Sequence, residues 1–363
     1  MSEGAMVHNR RWADTIVMRG AIIAGTLGAA IAFAPDAVAG EQQGAVCWSP
    51  SQLTVRRGDN RIVKDIRAAY RPRPVGDAAA SPRPVPYGAI RRVNLPGNAK
   101  IIALTFDLCE QPHEISGYQG DIVDYLRSER LPATFFATGK WLLTHSERGQ
   151  QLMADPLFEI GNHGWSHRNF RILTGSALVG ELTGSQAAYR RTRKRLQARQ
   201  CRVPGLRGPA YRHVPRRQTL MRFPFGACSP AALRAVQDQK LLAIQWDVSS
   251  ADPWKGQTAD AMVEHVVRRT RSGSILLFHA NGRGWRTPEA LPVIVAKLRA
   301  KGFKFATVSE LLSMPGARPE IVSRCYDSKP GDSERYDGLA RRLEQRYAAF
   351  RRRFGFPPDD KEQ

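Results

Sequence analysis

Four short clusters, each directly behind an apolar run of strand length, constrain this chain more than any other feature. They are Thr105-Phe106-Asp107, His163-Gly164-Trp165-Ser166-His167, Arg222-Phe223-Pro224-Phe225-Gly226 and Leu276-Leu277-Phe278-His279. In an α/β barrel the strand ends are where functional side chains gather. The clusters place a carboxylate, two close imidazoles, a guanidinium and a third imidazole at such ends. That inventory suits metal-assisted hydrolysis of an acyl group.

The pattern between the clusters predicts the same class. Residues 101–106, 133–138, 242–248, 274–278 and 303–307 read as strands, and 158–160 leads into the paired histidines. Helical spacing runs through Ile122, Val123 and Leu126, residues 176–200 form a long basic helix, and Ser229-Pro230 reads as an N-cap and first helical residue. Strands alternating with helices at this spacing predict an α/β fold with a parallel, barrel-like sheet.

Residues 1–39 read as a signal segment. Arg10, Arg11 and Arg19 precede an apolar stretch over 21–34, and Ala37-Val38-Ala39 offers a small-residue cleavage site. The expectation is an exported protein, periplasmic or secreted, with an uncleaved N-terminal anchor as the alternative, although the apolar run is short for spanning. Residues 40–91 form a Pro/Arg-rich leader, extended and wrapping rather than folding alone. The barrel occupies 92–313. The extension 314–363 carries a basic amphipathic helix near 336–354, with Leu339, Leu343, Tyr347 and Phe350 on the face expected to pack on the barrel.

The net charge of +22 is concentrated: residues 190–222 hold twelve Lys or Arg and no acid. Such a field favours polyanionic partners, which for an exported protein means an acidic polysaccharide, a cell-wall polymer or an anionic envelope surface rather than nucleic acid. Because 190–222 runs into the Arg222 turn, the field is expected to border the site. Of five cysteines, Cys47, Cys109, Cys201, Cys228 and Cys325, an oxidising compartment pairs some and leaves an odd one. If the first and third clusters meet, Cys109 and Cys228 are expected neighbours and a disulfide pair. The lack of a Cys-x-x-Cys pair argues against a cysteine zinc site.

His163 and His167, four apart on a helix or tight loop, turn two rings toward one point, as a zinc-like ion requires. Asp107, at a strand end behind apolar residues, needs a partner such as an arginine or a metal-bound water. The rigid Arg222 turn aims a guanidinium and a backbone N–H at the site. His279 emerges from a buried strand as a general acid, held protonated by Asp247 or Asp252.

Taken together, these motifs resemble the polysaccharide deacetylase family, carbohydrate esterase family 4. The resemblance covers about residues 92–313 and includes the segment Leu131-Pro132-Ala133-Thr134-Phe135-Phe136-Ala137-Thr138-Gly139-Lys140, the Asp252/Trp254 region and Gly302-Phe303-Lys304-Phe305. It implies a distorted TIM-like (β/α) barrel that removes N- or O-acetyl groups from a carbohydrate polymer such as peptidoglycan, chitooligosaccharide or exopolysaccharide. Carried onto this sequence, Asp107 is the general base, His163 and His167 hold a divalent metal, by expectation zinc, and Arg222 orients Asp107. The Phe225 N–H serves the oxyanion, His279 is the acid tuned by Asp252, and Trp254 and Leu277 line a methyl pocket.

Two positions depart from the family. Leu108 stands where the family usually has a second, metal-binding aspartate, so the metal site is weakened and its third ligand falls to Asp107, Glu110 or water. Pro253 separates Asp252 from Trp254, which the family has adjacent. A polysaccharide-binding protein with a decayed site and a metal-free cyclic-amide hydrolase are the alternatives that Leu108 raises.

Overall fold

The computed structural model describes residues 46–64, 84–325, 331 and 334–353. The signal segment and residues 40–45 and 65–83 of the leader lie outside the described residues. The leader begins with α1 (Pro50–Leu53) and β1 (Val63–Lys64), followed by β2 (Ala89–Asn94), β3 (Ile101–Leu108) and β4 (Glu114–Ile115). Then come α2 (Gly120–Ser128), β5 (Ala133–Ala137), α3 (Gly139–Thr144), α4 (Ser146–Ala154), β6 (Phe158–Asn162) and α5 (Gly175–Arg199). The second half contains β7 (Leu220–Met221), α6 (Pro230–Asp238), β8 (Leu242–Ile244), β9 (Val248–Ser249), α7 (Ala259–Arg269), β10 (Ile275–His279) and α8 (Thr287–Ala300). The described chain closes with β11 (Lys304–Ala306), α9 (Val308–Leu312), β12 (Arg318–Val322) and α10 (Asp337–Arg353).

The sheet runs β12-β2-β8-β7-β6-β5-β3-β10-β9, with β11 also paired to β3, and every pair but β12–β2 is parallel. Residues 242–248, expected as one strand, form two short ones. β8 pairs with β7 and β2, while β9 pairs with β10. One stretch of chain therefore links the two arms of the sheet, from β7 to β10 and β3, and the sheet curls into a half-barrel rather than a closed barrel.

Strand alternation sorts the core. Ile102, Leu104, Phe106 and Leu108 of β3 pack with Leu276 and Phe278 of β10 against Ile122, Val123 and Leu126 of α2 and Ile294, Val295 and Leu298 of α8. The helices bury these residues at the i, i+3, i+4 spacing of an apolar stripe. The other face of the sheet holds Ala103, Phe136, Ile275, Leu277, Ile244 and Trp246. Asp107 and His279 share the parity of this inner face.

Two disulfides secure the ends, Cys47–Cys201 and Cys228–Cys325, and Cys109 is a buried, unbridged thiol. The expected Cys109–Cys228 pair is thus wrong: Cys109 is turned into the inner face, while Cys228 packs with Phe223, Ala232 and Leu233 in a separate cluster. The leader is anchored as well as wrapped, because Asp59 accepts from Arg148 at 2.7 Å and β1 pairs with β4. On α10, Leu343 and Tyr347 of the expected stripe are partly buried, with the Arg168 guanidinium 5.7 Å from the Tyr347 ring centroid, whereas Leu339 is half exposed and Ala340 takes the buried place beside it. The side chain of Phe350 lies outside the described residues.

Candidate active site

Asp107 and His279 are paired positions of the parallel neighbours β3 and β10. Both strands end there, so their last inward side chains meet at the mouth of the sheet. β7 is two residues long, and Arg222 leaves it directly beneath Asp107. The guanidinium is fully buried: Nη1 donates to Asp107 Oδ1 at 2.9 Å, and Nε and Nη2 donate to the carbonyls of Ile244 and Gln245 at 3.3 and 3.4 Å. Its Cζ lies 4.1 Å from the Phe136 ring centroid and 5.6 Å from that of Trp246. Burial disfavours the charged form of Arg222, and the Asp107 carboxylate offsets part of that cost.

The histidine pair sits on a tight loop after β6. Gly164 turns it at φ +75°, Asn162 Oδ1 accepts from the Gly164 N–H at 2.9 Å, and Glu181 of α5 accepts from the N–H and hydroxyl of Ser166 at 2.8 and 3.0 Å. His163 Nδ1 donates to the Arg222 carbonyl at 2.9 Å. A carbonyl can only accept, so in the neutral ring the lone pair is on Nε2, which faces Asp107 Oδ2 at 3.5 Å and Cys109 Sγ at 3.4 Å. Burial lowers the His163 pKa, and Asp107 and Cys109 more than reverse this. His167 Nδ1 is buried with no hydrogen-bond partner. Its ring lies 4.4 Å from that of Phe225, which stacks in turn on Tyr336 at 6.3 Å.

On the opposite side Asp252 is fully buried and accepts from His279 Nδ1 at 2.8 Å, from the His279 N–H at 2.7 Å and from the Thr287 hydroxyl at 2.7 Å. Burial alone would lower the His279 pKa, but Asp252, aided by Cys109, raises it well above the ordinary histidine value. Asp247, the other candidate partner, is at the far end of β10, bonded to Ser274 and the Ile275 N–H.

Cys109 is the residue that the spacing argument missed. Its Sγ and one ring nitrogen from each of His163 and His167 all lie within 4.8 Å of one another, as do single donor atoms of Asp107, Cys109 and His279. Asn281 Nδ2 donates to the Cys109 carbonyl at 2.7 Å, and buried Lys140 straps the following loop through the carbonyls of Gln111, Pro112 and Glu114 at 2.5, 3.0 and 2.6 Å. Burial raises the thiol pKa, while His167 and His163 pull it well below the ordinary value. The missing Cys-x-x-Cys pair argued against a cysteine zinc site, yet a single cysteine stands here beside the two histidines. The signal was present: Cys109 has the strand parity of Asp107.

Other expected residues are placed elsewhere. Glu110 Oε2 accepts from the Ser116 N–H and hydroxyl and from the Thr144 hydroxyl, and Glu110 is in neither donor group with the histidines. Trp254 is 65% exposed and covers Gly256, whereas Leu277 is buried on the inner face one turn of the pleat below His279. The basic run is also displaced. Glu181 holds the histidine loop, but Arg193 of the same helix reaches the Val214 carbonyl at the opposite end of the sheet. At 1.5 Å per residue, Lys194 is roughly 20 Å along the axis from Glu181.

Residues 94–213 match the polysaccharide deacetylase family model. The matched segment is about a third of the chain and contains Asp107, His163 and His167. It is 27% identical over 221 residues to a peptidoglycan-N-acetylglucosamine deacetylase of Bacillus cereus, covering 60% of this chain and 91% of that one. A chitooligosaccharide deacetylase of Rhizobium leguminosarum bv. phaseoli is 29% identical over 176 residues, covering 48% of this chain and 66% of its own. Among solved structures, a family 4 pseudoenzyme from Bacillus anthracis superposes with a TM-score of 0.49 at 24% identity, covering 63% of this chain and 70% of that one.

Position 108, where the resemblance implies a metal-binding aspartate, holds a leucine. Leu108 is fully buried on the outer face with Phe106 and Leu104, where it packs against helices. It provides no ligand, and the next inward-facing donor is Cys109.

Proposed function

We propose that this chain is an exported, metal-dependent deacetylase that removes acetyl groups from a carbohydrate polymer of the peptidoglycan or chitooligosaccharide class. The observation that carries this reading is the register that sets Asp107, fixed by Arg222, beside His279, fixed by Asp252, with His163 and His167 at the same mouth. A catalytically decayed binding protein has no need of two buried, charge-assisted pairs, each of which costs desolvation unless its geometry is kept.

The donors fit a divalent ion: His163 presents an Nε2 lone pair fixed by its Nδ1 bond to a carbonyl, and His167 Nδ1 is buried without a partner. His163 and His167 would hold it, and when bound it would polarise the acetyl carbonyl and acidify water. Arg222 occupies Asp107 Oδ1 and leaves Oδ2 to accept a proton from the attacking water. His279, held protonated by Asp252, donates from Nε2 to the departing sugar nitrogen or oxygen. The Phe225 N–H, on a turn at φ +59°, is assigned to the developing oxyanion and Leu277 to the acetyl methyl. The partner is an acetylated glycan, and zinc is the expected metal. Acetate release from acetylated chitooligosaccharide or peptidoglycan tests the reading; none from either substrate would refute it.

A further inference from the structure

We propose that Cys109 is the third protein ligand of this metal site, so that the chain binds its metal through a His163–His167–Cys109 set in place of an aspartate-bearing one. The inference rests on the proposed metal dependence and goes beyond it. Three observations lead to it. Leu108 faces outward into the apolar layer, so the β3 end offers no carboxylate there. Cys109 Sγ lies 3.4 Å from His163 Nε2, and a ring nitrogen of His167 completes a group within 4.8 Å. The His167 ring is buried with its Nδ1 unpartnered, which is costly unless a ligand completes it.

No disulfide claims the sulfur. Cys47, Cys201, Cys228 and Cys325 are consumed in disulfides, so Cys109 is the one thiol in the sequence. Its carbonyl is held by Asn281, and the loop that follows it is held by Lys140. Two imidazoles and one sulfur leave a fourth position open in a tetrahedral site, the arrangement of a catalytic zinc centre. Metal binding would replace the thiol proton with the ion and release that proton to solvent. The soft sulfur favours zinc, cobalt or cadmium over magnesium or calcium.

Cobalt(II) reports the ligand directly, because thiolate coordination adds an intense near-ultraviolet charge-transfer band that histidine and carboxylate ligands do not produce. Full-length protein titrated with cobalt should develop this band together with visible ligand-field absorption. Cys109→Ser should lose the band, keep visible absorption and bind cobalt at least tenfold more weakly, by analogy with the loss of outer-shell partners. If Cys109→Ser fails to fold by circular dichroism, Cys109→Asp serves instead and should bind cobalt without the band. A wild-type protein that binds cobalt without the band, or a variant that keeps it, overturns the assignment. Acetate release is measured on the same samples: activity without the band defeats the cysteine ligand alone, and the band without activity defeats the deacetylase reading alone.

Discussion

Asp107 and His279 are cross-strand partners at the ends of β3 and β10, and each is held by a different buried charge, Arg222 for the first and Asp252 for the second. The carboxylate and the imidazole to which the proposed function gives the roles of base and acid are thereby fixed side by side by backbone register, with their orienting groups on separate loops. Replacing His279 with Ala should cut kcat by about a hundredfold or more. The fold should survive, because Asp252 still accepts from Thr287 and from a backbone N–H. Near-wild-type acetate release would remove His279 from the mechanism.

Asp107→Asn should be equally inactive but less clean. It leaves a fully buried guanidinium without its counter-charge, and breaking such a pair costs about 3 kcal/mol or more. Thermal or denaturant unfolding should therefore show a clear loss of stability in this variant. Unchanged stability would mean that the Arg222–Asp107 pair is not the buried ion pair described.

The His279–Asp252 pair sets a pH dependence with a definite sign. Its folded pKa lies above the unfolded value of about 6.5, so the stability it contributes is complete below that pH and is lost as pH rises through the folded value. Activity that needs protonated His279 should fall over the same alkaline window. Asp252→Asn removes the charge that raises the pKa, so the alkaline limb of the kcat/KM profile should move to lower pH. A limb that stays in place would assign it to another group.

Peptide mapping without reductant should recover Cys47 linked to Cys201, Cys228 linked to Cys325, and Cys109 as a thiol. The Cys47–Cys201 bridge spans 154 residues, so removing it as a Ser pair should cost up to about 5 kcal/mol in the chain-entropy model. A Cys109–Cys228 peptide would contradict the fold at its third and first motifs.

The basic end of α5 gives a prediction opposite to the one its sequence suggests. Replacing Arg190, Arg191 and Lys194 with Gln should leave the salt dependence of kcat/KM on an anionic glycan unchanged, since screening over about 10 Å already isolates charges that far from the mouth. A salt response abolished by these replacements would place the run beside the substrate.

The strand ends were legible because each polar cluster follows an apolar run, and parity alone puts Asp107 and His279 on the inner face. The helix pattern of α2 and the N-cap at Ser229 were legible for the same local reason. What was hidden depends on distant packing. Residues 242–248 break into β8 and β9 because the sheet must turn there. Position along the chain placed 190–222 near Arg222, but a helix running back along the sheet carried its basic end away. Cys109 was overlooked because the cysteine count suggested pairing, although its parity with Asp107 pointed inward. Disulfide partners separated by 97 and 154 residues leave no local trace.

The most direct test of the central claim is acetate release from acetylated chitooligosaccharide and from peptidoglycan by purified protein, measured as isolated, after chelator, and after adding back zinc or cobalt. The account predicts acetate from at least one substrate, its loss with chelator and its recovery with metal. No acetate from either substrate, or full activity in protein that elemental analysis finds free of metal, would contradict it.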